Sequence, residues 1–128
     1  MNADILIRRA REVAKNAYCP YSKFHVGCSI LCEGDEFVDG CNVENASYGL
    51  TICSERNALF AAVARGLKPI ELAVTCPSAG DDCPDQYVMP CGACRQVMAE
   101  FLDDDALIHV DGAGTFRLGD LIPKAFRI

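Results

Sequence analysis

The sequence is short of positive charge and has no long apolar segment. Lysine and arginine together number 12 against 18 aspartates and glutamates, which gives a formal net charge of −6 over 128 residues. Binding to a phosphate backbone depends on clustered lysine and arginine side chains, so this balance argues against a nucleic-acid partner. No run approaches the roughly 20 apolar residues of a membrane-spanning helix, and residues 1–16 carry charges throughout, unlike a signal peptide. We therefore expect a cytoplasmic protein with no membrane partner.

Internal repeats, low-complexity segments and linkers are also absent. The chain is 51% apolar and 23% charged, a composition typical of a globular protein. Its length suits one domain with a substantial core, so we predict a single domain over residues 1–128. Only two histidines occur, His25 and His109, and each is isolated on a predicted strand, so we expect both to be structural.

Cysteine, by contrast, is abundant. The nine cysteines are Cys19, Cys28, Cys32, Cys41, Cys53, Cys76, Cys83, Cys91 and Cys94. In a reducing cytosol such residues are either small buried apolar side chains or metal ligands. Cys28 and Cys32 alternate with Ile30 on one face of a predicted strand, so we expect these two in the core.

Hydrophobic spacing predicts strands that alternate with helices. Helices are predicted over residues 3–17, 54–65 and 92–102 and near the C-terminus, and strands over 23–32, 37–43, 70–76, 105–110 and 115–118. A polar segment rich in proline, glycine and aspartate, residues 77–90, is predicted to be a loop. Such alternation indicates an α/β fold, a three-layer α-β-α sandwich with a central mixed sheet of about five strands.

Two of the predicted helices begin with cysteines. Cys53 precedes one helix, and Cys91 and Cys94 form a C-x-x-C pair at the start of another. Open α/β sheets place their sites at the carboxyl ends of strands, so the two helix starts would lie along one edge of the sheet. Three thiolates on Zn²⁺ with an open fourth position make a catalytic site, whereas four ligands make a structural one.

Two charged residues follow Cys53 directly. Glu55 is placed to be a general base next to the metal and not a ligand. Three thiolates on Zn²⁺ leave one excess negative charge, which weakens the acidification of a bound water, and the guanidinium of Arg56 would offset it. These roles for Glu55 and Arg56 are hypotheses from charge and position.

Other interpretations of the same residues remain open at this point. The C-x-x-C pair is also found in redox dithiols. A closed four-cysteine site would result if Cys76 or Cys83 supplied a fourth thiolate. Glu55 alone would be typical of a solvent-exposed carboxylate that compensates a helix dipole.

Two segments, "NVENASYGLTICSER" at 42–56 and "PCGACRQVMAEF" at 90–101, together resemble the small homotetrameric, three-cysteine zinc cytidine deaminases. The likeness extends from "YCPYSKFHVG" to "LIPKAF" and so covers nearly the whole chain. It implies that Cys53, Cys91 and Cys94 bind one Zn²⁺ per chain. It also implies that Glu55 activates a zinc-bound water and shuttles protons. The implied reaction is hydrolysis of cytidine and 2′-deoxycytidine to uridine and 2′-deoxyuridine plus ammonia, in pyrimidine salvage.

The resemblance further implies a nucleoside site. Asn42 and Glu44 would bind the sugar hydroxyls, Phe24 would pack on the base, and Ser54 would contribute backbone groups. An amide and a carboxylate suit a diol and repel a 5′-phosphate, so nucleosides are expected over nucleotides. Without the resemblance, "NVEN" would be interpreted as a polar turn, and Phe24 as a core residue of its strand.

In this family the neighbouring subunit completes the site. Ala46 and Tyr48 match its loop contribution, and Phe126 matches the aromatic residue that stacks on the pyrimidine. The resemblance therefore implies a homotetramer with shared active sites.

The chain departs from the family pattern at Ser54, where alanine is common, and in the long loop 77–90, which carries Cys83. Two rival functions remain. A deaminase of aminonucleoside antibiotics, resembling blasticidin S deaminase, is the enzyme alternative. A non-catalytic zinc-binding module is the alternative from another class.

Overall fold

In the computed structural model of the protein, which describes residues 2–128, strands and helices alternate along the chain. The elements are α1 (Asn2–Ala14), β1 (Gly27–Cys32), β2 (Glu36–Cys41), α2 (Ser54–Ala64), β3 (Pro69–Thr75), α3 (Gly92–Phe101), β4 (Leu107–Val110), β5 (Gly114–Arg117) and α4 (Leu118–Leu121). Two single-turn 3-10 helices, Tyr48–Leu50 and Asp85–Tyr87, lie in the connecting loops. Within the described residues, no helix is both long and apolar enough to cross a membrane.

The five strands form one mixed sheet in the order β2-β1-β3-β4-β5. Strand β1 is antiparallel to both β2 and β3, β3 is parallel to β4, and β4 is antiparallel to β5. Strands β2, β3 and β4 therefore point in the same direction. Helix α2 follows β2 and α3 follows β3, so both helices begin at the same edge of the sheet, as the sequence predicts.

Helices cover both faces of the sheet. On one face α1 packs Leu6 against Leu31 and Ala73. On the other face α2 and α3 contribute Leu59 and Met98 to the main core. That core also contains Cys28, Ile30 and Cys32 of β1 and Leu72 of β3. The predicted three-layer sandwich and the core positions of Cys28 and Cys32 are confirmed.

Two element boundaries differ from the prediction by three residues or more. Helix α1 ends at Ala14 and not at residue 17, because the following residues form tighter turn bonds such as Ala17 N to Ala14 O at 3.1 Å. Strand β1 begins at Gly27 and not at residue 23, since Lys23 has a left-handed φ of 61°. Gly27 lies so close to α1 that a Cβ there would be 2.0 Å from the carbonyl oxygen of Ala10.

Candidate active site

Three cysteine side chains meet where α2 and α3 begin. Cys53 is the N-cap of α2, Cys91 is the N-cap of α3, and Cys94 lies in the first turn of α3. Their sulfurs all lie within 4.8 Å of one another. The Sγ atoms of Cys53 and Cys91 are 3.9 Å apart, and those of Cys91 and Cys94 are 3.4 Å apart. Cys53 and Cys91 are 38 positions apart in the sequence, and their side chains meet as predicted.

This donor set fits zinc. Tetrahedral Zn²⁺ with Zn–S bonds of about 2.3 Å requires sulfurs about 3.8 Å apart, close to the two separations found. Cys94 is fully buried, while Cys53 is half-buried and Cys91 is exposed, so the cluster is anchored at one side and open at the other. The hydrogen bond with Cys94, followed by those with Arg56 and Cys91, lowers the pKa of Cys53. A thiolate is the form that binds metal.

A closed four-cysteine site does not form among the described residues. Neither Cys76 nor Cys83 belongs to the three-sulfur cluster, although both line the adjoining cavity. Burial raises the pKa of the Cys76 thiol to about 12, which keeps it neutral. The third thiol beside the C-x-x-C pair likewise favours a metal site over a redox dithiol.

Glu55 points inward from the first turn of α2. Its side chain is buried, with 4% of the residue exposed, and the hydroxyl of Ser54 donates a hydrogen bond to its Oε1 at 2.7 Å. Burial raises the pKa of this carboxyl group, which is the direction expected when a charge loses solvent. Glu55 is thus not the solvent-exposed carboxylate of the alternative interpretation. The Ser54 hydroxyl does not cap α2, because it is committed to Glu55 and the cap position belongs to Cys53.

Arg56 contacts the cluster from α2. Its Nη2 lies 3.4 Å from the Sγ of Cys53. Its Nε is buried and has no hydrogen-bond partner within residues 2–128. The guanidinium charge is therefore directed at a candidate ligand thiolate, as the charge argument from the sequence requires.

A cavity of about 680 Å³ opens above the thiols. Its wall includes Phe24, Asn42 and Glu44 together with Cys53 and Glu55. The size suits a small organic molecule. Candidate substrate-binding residues from distant parts of the chain and the candidate metal ligands therefore share one space.

Asn42 has a structural task within this wall. Its Oδ1 accepts a hydrogen bond from the backbone N–H of Val26 at 2.9 Å, and its Nδ2 donates one to the carbonyl of Phe24 at 2.8 Å. An amide has two donors and two acceptor positions, so one of each remains for a ligand. Asn42 thus shapes the segment that carries Phe24 and retains limited capacity to bind.

Three other predicted residues lie outside the cavity of their own chain. Tyr48 and Phe126 are 78% and 70% exposed, and Ala46 is also exposed. The Tyr48 ring meets Tyr21 edge-on with centroids 6.2 Å apart. The cavity is formed by one chain, and these three residues lie exposed on the surface of that chain. They are therefore accessible to a second subunit, and no more than this part of the expectation is met.

Sequence reasoning missed several cavity residues. Ser22, Thr51 and Met89 line it, and the sequence singled out none of them. One local signal was available for Ser22. Serine is common in turns, where its hydroxyl oxygen accepts a hydrogen bond from the backbone N–H two residues later. The others are placed by the fold alone.

Comparison with known proteins agrees with this geometry. A family model described as the cytidine and deoxycytidylate deaminase zinc-binding region matches residues 1–110. A cytidine deaminase of Halalkalibacterium halodurans is 38% identical over 131 residues, covering 98% of this chain and 95% of that protein. The crystal structure of cytidine deaminase from Mycobacterium tuberculosis superposes with a TM-score of 0.86 at 39% identity, covering 100% of this chain and 99% of that one.

A blasticidin-S deaminase provides a weaker match. The protein from Bacillus cereus is 30% identical over 95 residues, covering 71% of this chain and 68% of that protein. Both the identity and the coverage are lower than for the cytidine deaminases. The comparison therefore favours the cytidine deaminases over the antibiotic deaminases.

Proposed function

The chain belongs to the family of zinc-dependent cytidine and deoxycytidylate deaminases, and from this premise we propose that it hydrolyses cytidine and 2′-deoxycytidine to uridine and 2′-deoxyuridine with release of ammonia. One observation carries the proposal. Three thiols with the spacing of zinc ligands lie beside a buried carboxyl group at the base of a cavity. Hydrolysis of a carbon–nitrogen bond needs an activated water and a group that both accepts and donates protons.

The chemistry is divided between the metal site and Glu55. Zinc held by Cys53, Cys91 and Cys94 would supply the Lewis acidity that activates a water molecule. Glu55 accepts the proton of the attacking water and delivers it to N3 of the base as the new C4–O bond forms. Glu55 then takes the proton of the new hydroxyl group and passes it to the amino nitrogen, so that the C4–N bond breaks and ammonia leaves. Ser54 orients Glu55 through its hydrogen bond to Oε1.

The cavity wall provides the nucleoside site. Phe24 supplies an apolar surface for the base, and Glu44 and the remaining capacity of Asn42 bind the sugar hydroxyls. A carboxylate at this position repels a 5′-phosphate. We therefore assign nucleosides, and not nucleotides, as the substrates.

Arg56 tunes the charge of the metal site. Its contact with the Cys53 sulfur offsets the excess negative charge of three thiolates on zinc. The substitution Arg56→Gln is expected to lower kcat and to shift the pH profile for cytidine with zinc content retained. Unchanged activity and an unchanged profile would contradict this role.

We extend the proposal to assembly and cellular role. Tyr48, Leu50, Phe60 and Phe126 are exposed apolar side chains, which supports a surface that another subunit covers. The proposed homotetramer, in which Ala46, Tyr48 and Phe126 complete a neighbour's site, rests on the likeness to the small homotetrameric cytidine deaminases. The enzyme would act in pyrimidine salvage in the cytoplasm, where reduced thiols persist.

Subunit mixing tests the shared site. Glu55→Gln lacks the proton shuttle but keeps Phe126, and Phe126→Ala has the opposite defect. Refolding the two variants together should create sites with an intact Glu55 and a neighbour's intact Phe126, so activity should exceed that of either parent. No gain, or a monomer by sedimentation, would contradict a shared site.

Direct turnover tests the function itself. Purified protein of measured zinc content is incubated with cytidine, 2′-deoxycytidine and blasticidin S, and the loss of substrate absorbance is followed. We expect turnover of the two nucleosides above that of the antibiotic. Turnover of blasticidin S alone would support the antibiotic deaminase, and no turnover by zinc-loaded protein would support a non-catalytic zinc module.

A further inference from the structure

A turn before β1 holds the carboxylate of Glu44 in place. The backbone N–H groups of Tyr21 and Ser22 both donate to Oε1 of Glu44, at 3.0 and 3.2 Å. The Ser22 hydroxyl donates a short hydrogen bond to Oε2. The backbone N–H of Glu44 in turn donates to the carbonyl of Tyr18 at 2.8 Å. Both carboxylate oxygens and the main chain of Glu44 are therefore fixed by residues more than twenty positions earlier.

The Ser22 hydroxyl has a second partner. Its oxygen accepts a hydrogen bond from the backbone N–H of Phe24 at 3.0 Å. The same hydroxyl thus joins Glu44, on the sugar side of the cavity, to Phe24, on the base side. Ser22 itself lines the cavity.

The charge on Glu44 is also favoured by this turn. The hydrogen bond from Ser22 lowers the pKa of Glu44, and the backbone donors at residues 21 and 22 add to the effect. Hydrogen bonds to the charged form of a carboxyl group have this direction. An ionised carboxylate has four acceptor positions, and the turn fills three of them. One acceptor position on Oε2 remains for a ligand hydroxyl.

We propose that Ser22 is a positioning residue that holds the carboxylate of Glu44 in the geometry needed to bind the free hydroxyl groups of the sugar. The proposal rests on the proposed function, because it assumes that Glu44 binds the nucleoside sugar. Ser22 acts through Glu44 and not on the reacting atoms. Losing its hydroxyl therefore weakens binding of the sugar and leaves the chemical step intact.

Steady-state kinetics of the zinc-loaded enzyme provide the test. In Ser22→Ala, we expect KM for cytidine to rise about 10-fold, the order of magnitude for one lost hydrogen bond to a charged group, with kcat within about twofold of wild type. Ser22→Thr keeps the hydroxyl and should restore KM. Thr115 provides a control at the far edge of the sheet, since its hydroxyl shares a 2.8 Å hydrogen bond with Nδ1 of His109 and it does not line the cavity. Thr115→Val should leave KM unchanged.

A pair of product analogues locates the effect on the sugar. The inhibition constants of uridine and 2′,3′-dideoxyuridine are measured against cytidine turnover. Ser22→Ala should weaken binding of uridine about 10-fold and leave binding of the dideoxy compound unchanged, because the latter lacks the 2′- and 3′-hydroxyls that Glu44 is proposed to bind. Equal weakening of both inhibitors, or a loss confined to kcat, would overturn the proposal.

A double-mutant cycle keeps the test decisive if Ser22→Ala perturbs the turn more widely. In a Glu44→Gln background the Ser22→Ala substitution should have little further effect on KM. Additive effects would show that Ser22 acts independently of Glu44 and would refute the proposal. Wild-type protein that binds zinc but does not turn over cytidine would instead contradict the proposed function. That result differs from an active wild type whose KM is unchanged by Ser22→Ala, which would contradict only the role of Ser22.

Discussion

Replacement of Glu55 by glutamine separates catalysis from metal binding and folding. Glutamine has the same shape, and its Oε1 can accept the 2.7 Å hydrogen bond that Ser54 donates to Glu55. It cannot take up and release a proton in the reaction. Loss of a positioned acid–base group lowers rates by about 10²- to 10⁴-fold, which corresponds to about 3 to 5 kcal/mol in activation free energy.

The rest of the site should survive this substitution. The metal cluster consists of Cys53, Cys91 and Cys94 and does not include Glu55. Zinc content should therefore stay at one per chain. Burial disfavours the charged form of Glu55, so removing that charge should leave the melting temperature of zinc-free protein at neutral pH unchanged or higher.

The assay combines three measurements on the same preparation: cytidine turnover by ultraviolet absorbance, zinc by elemental analysis, and thermal unfolding. Glu33→Gln is a matched control, because this carboxylate is exposed and its ion pair with Lys68 is long at 3.7 Å. It should behave as wild type in all three measurements. A zinc-loaded Glu55→Gln enzyme with more than about a tenth of wild-type kcat would refute the proton-transfer role. Loss of zinc would show that Glu55 is a ligand.

Three further substitutions test the supporting structure. Ser54→Ala should lower kcat for cytidine about 10-fold with KM preserved, since the lost hydrogen bond orients the carboxyl group of Glu55; a change in KM alone would contradict this. Gly27→Ala should destabilise the protein by several kcal/mol in urea unfolding, because the new Cβ would lie 2.0 Å from a backbone oxygen of α1. Gly80→Ala is the control and should be neutral, because a Cβ at residue 80 meets nothing within 4 Å. Asp111→Asn should cost about 1 kcal/mol at pH 7, because a guanidinium on α1 and a threonine hydroxyl bind this carboxylate and lower its pKa. A carboxylate with a lowered pKa stabilises the fold above its unfolded pKa, so the difference should fade as the pH falls below about 4, and a difference that persists at pH 2 would contradict the assignment.

The arrangement of the active site follows from the direction of the strands. Strand β1 lies between β2 and β3 and is antiparallel to both, so β2 and β3 are parallel although they are not adjacent. Helices α2 and α3 therefore start at one edge, where their N-terminal N–H groups favour thiolates. Alternating elements and cysteines at helix starts were enough to predict this meeting from sequence.

The cysteines show where prediction from pattern stops. Period-two alternation identified Cys28 and Cys32 as core residues, and both are fully buried. No local pattern distinguished Cys76 and Cys83 from possible fourth ligands. Their separation from the cluster depends on how β3 and the loop 77–90 pass the cavity, which is a property of the assembled fold.

The sequence by itself determined the layers, the order of helices and strands, and the set of candidate zinc ligands, because periodicity, capping and motif spacing are properties of neighbouring residues. Only the tertiary structure decided that the Ser54 hydroxyl binds Glu55, that the Asn42 amide is largely engaged by the backbone near Phe24, and that Ser22 holds Glu44. The last two contacts join residues 18 and 22 positions apart, and the first depends on a side-chain rotamer. Such hydrogen bonds form only after packing has fixed the distance and direction between donor and acceptor, and no local periodicity encodes those quantities.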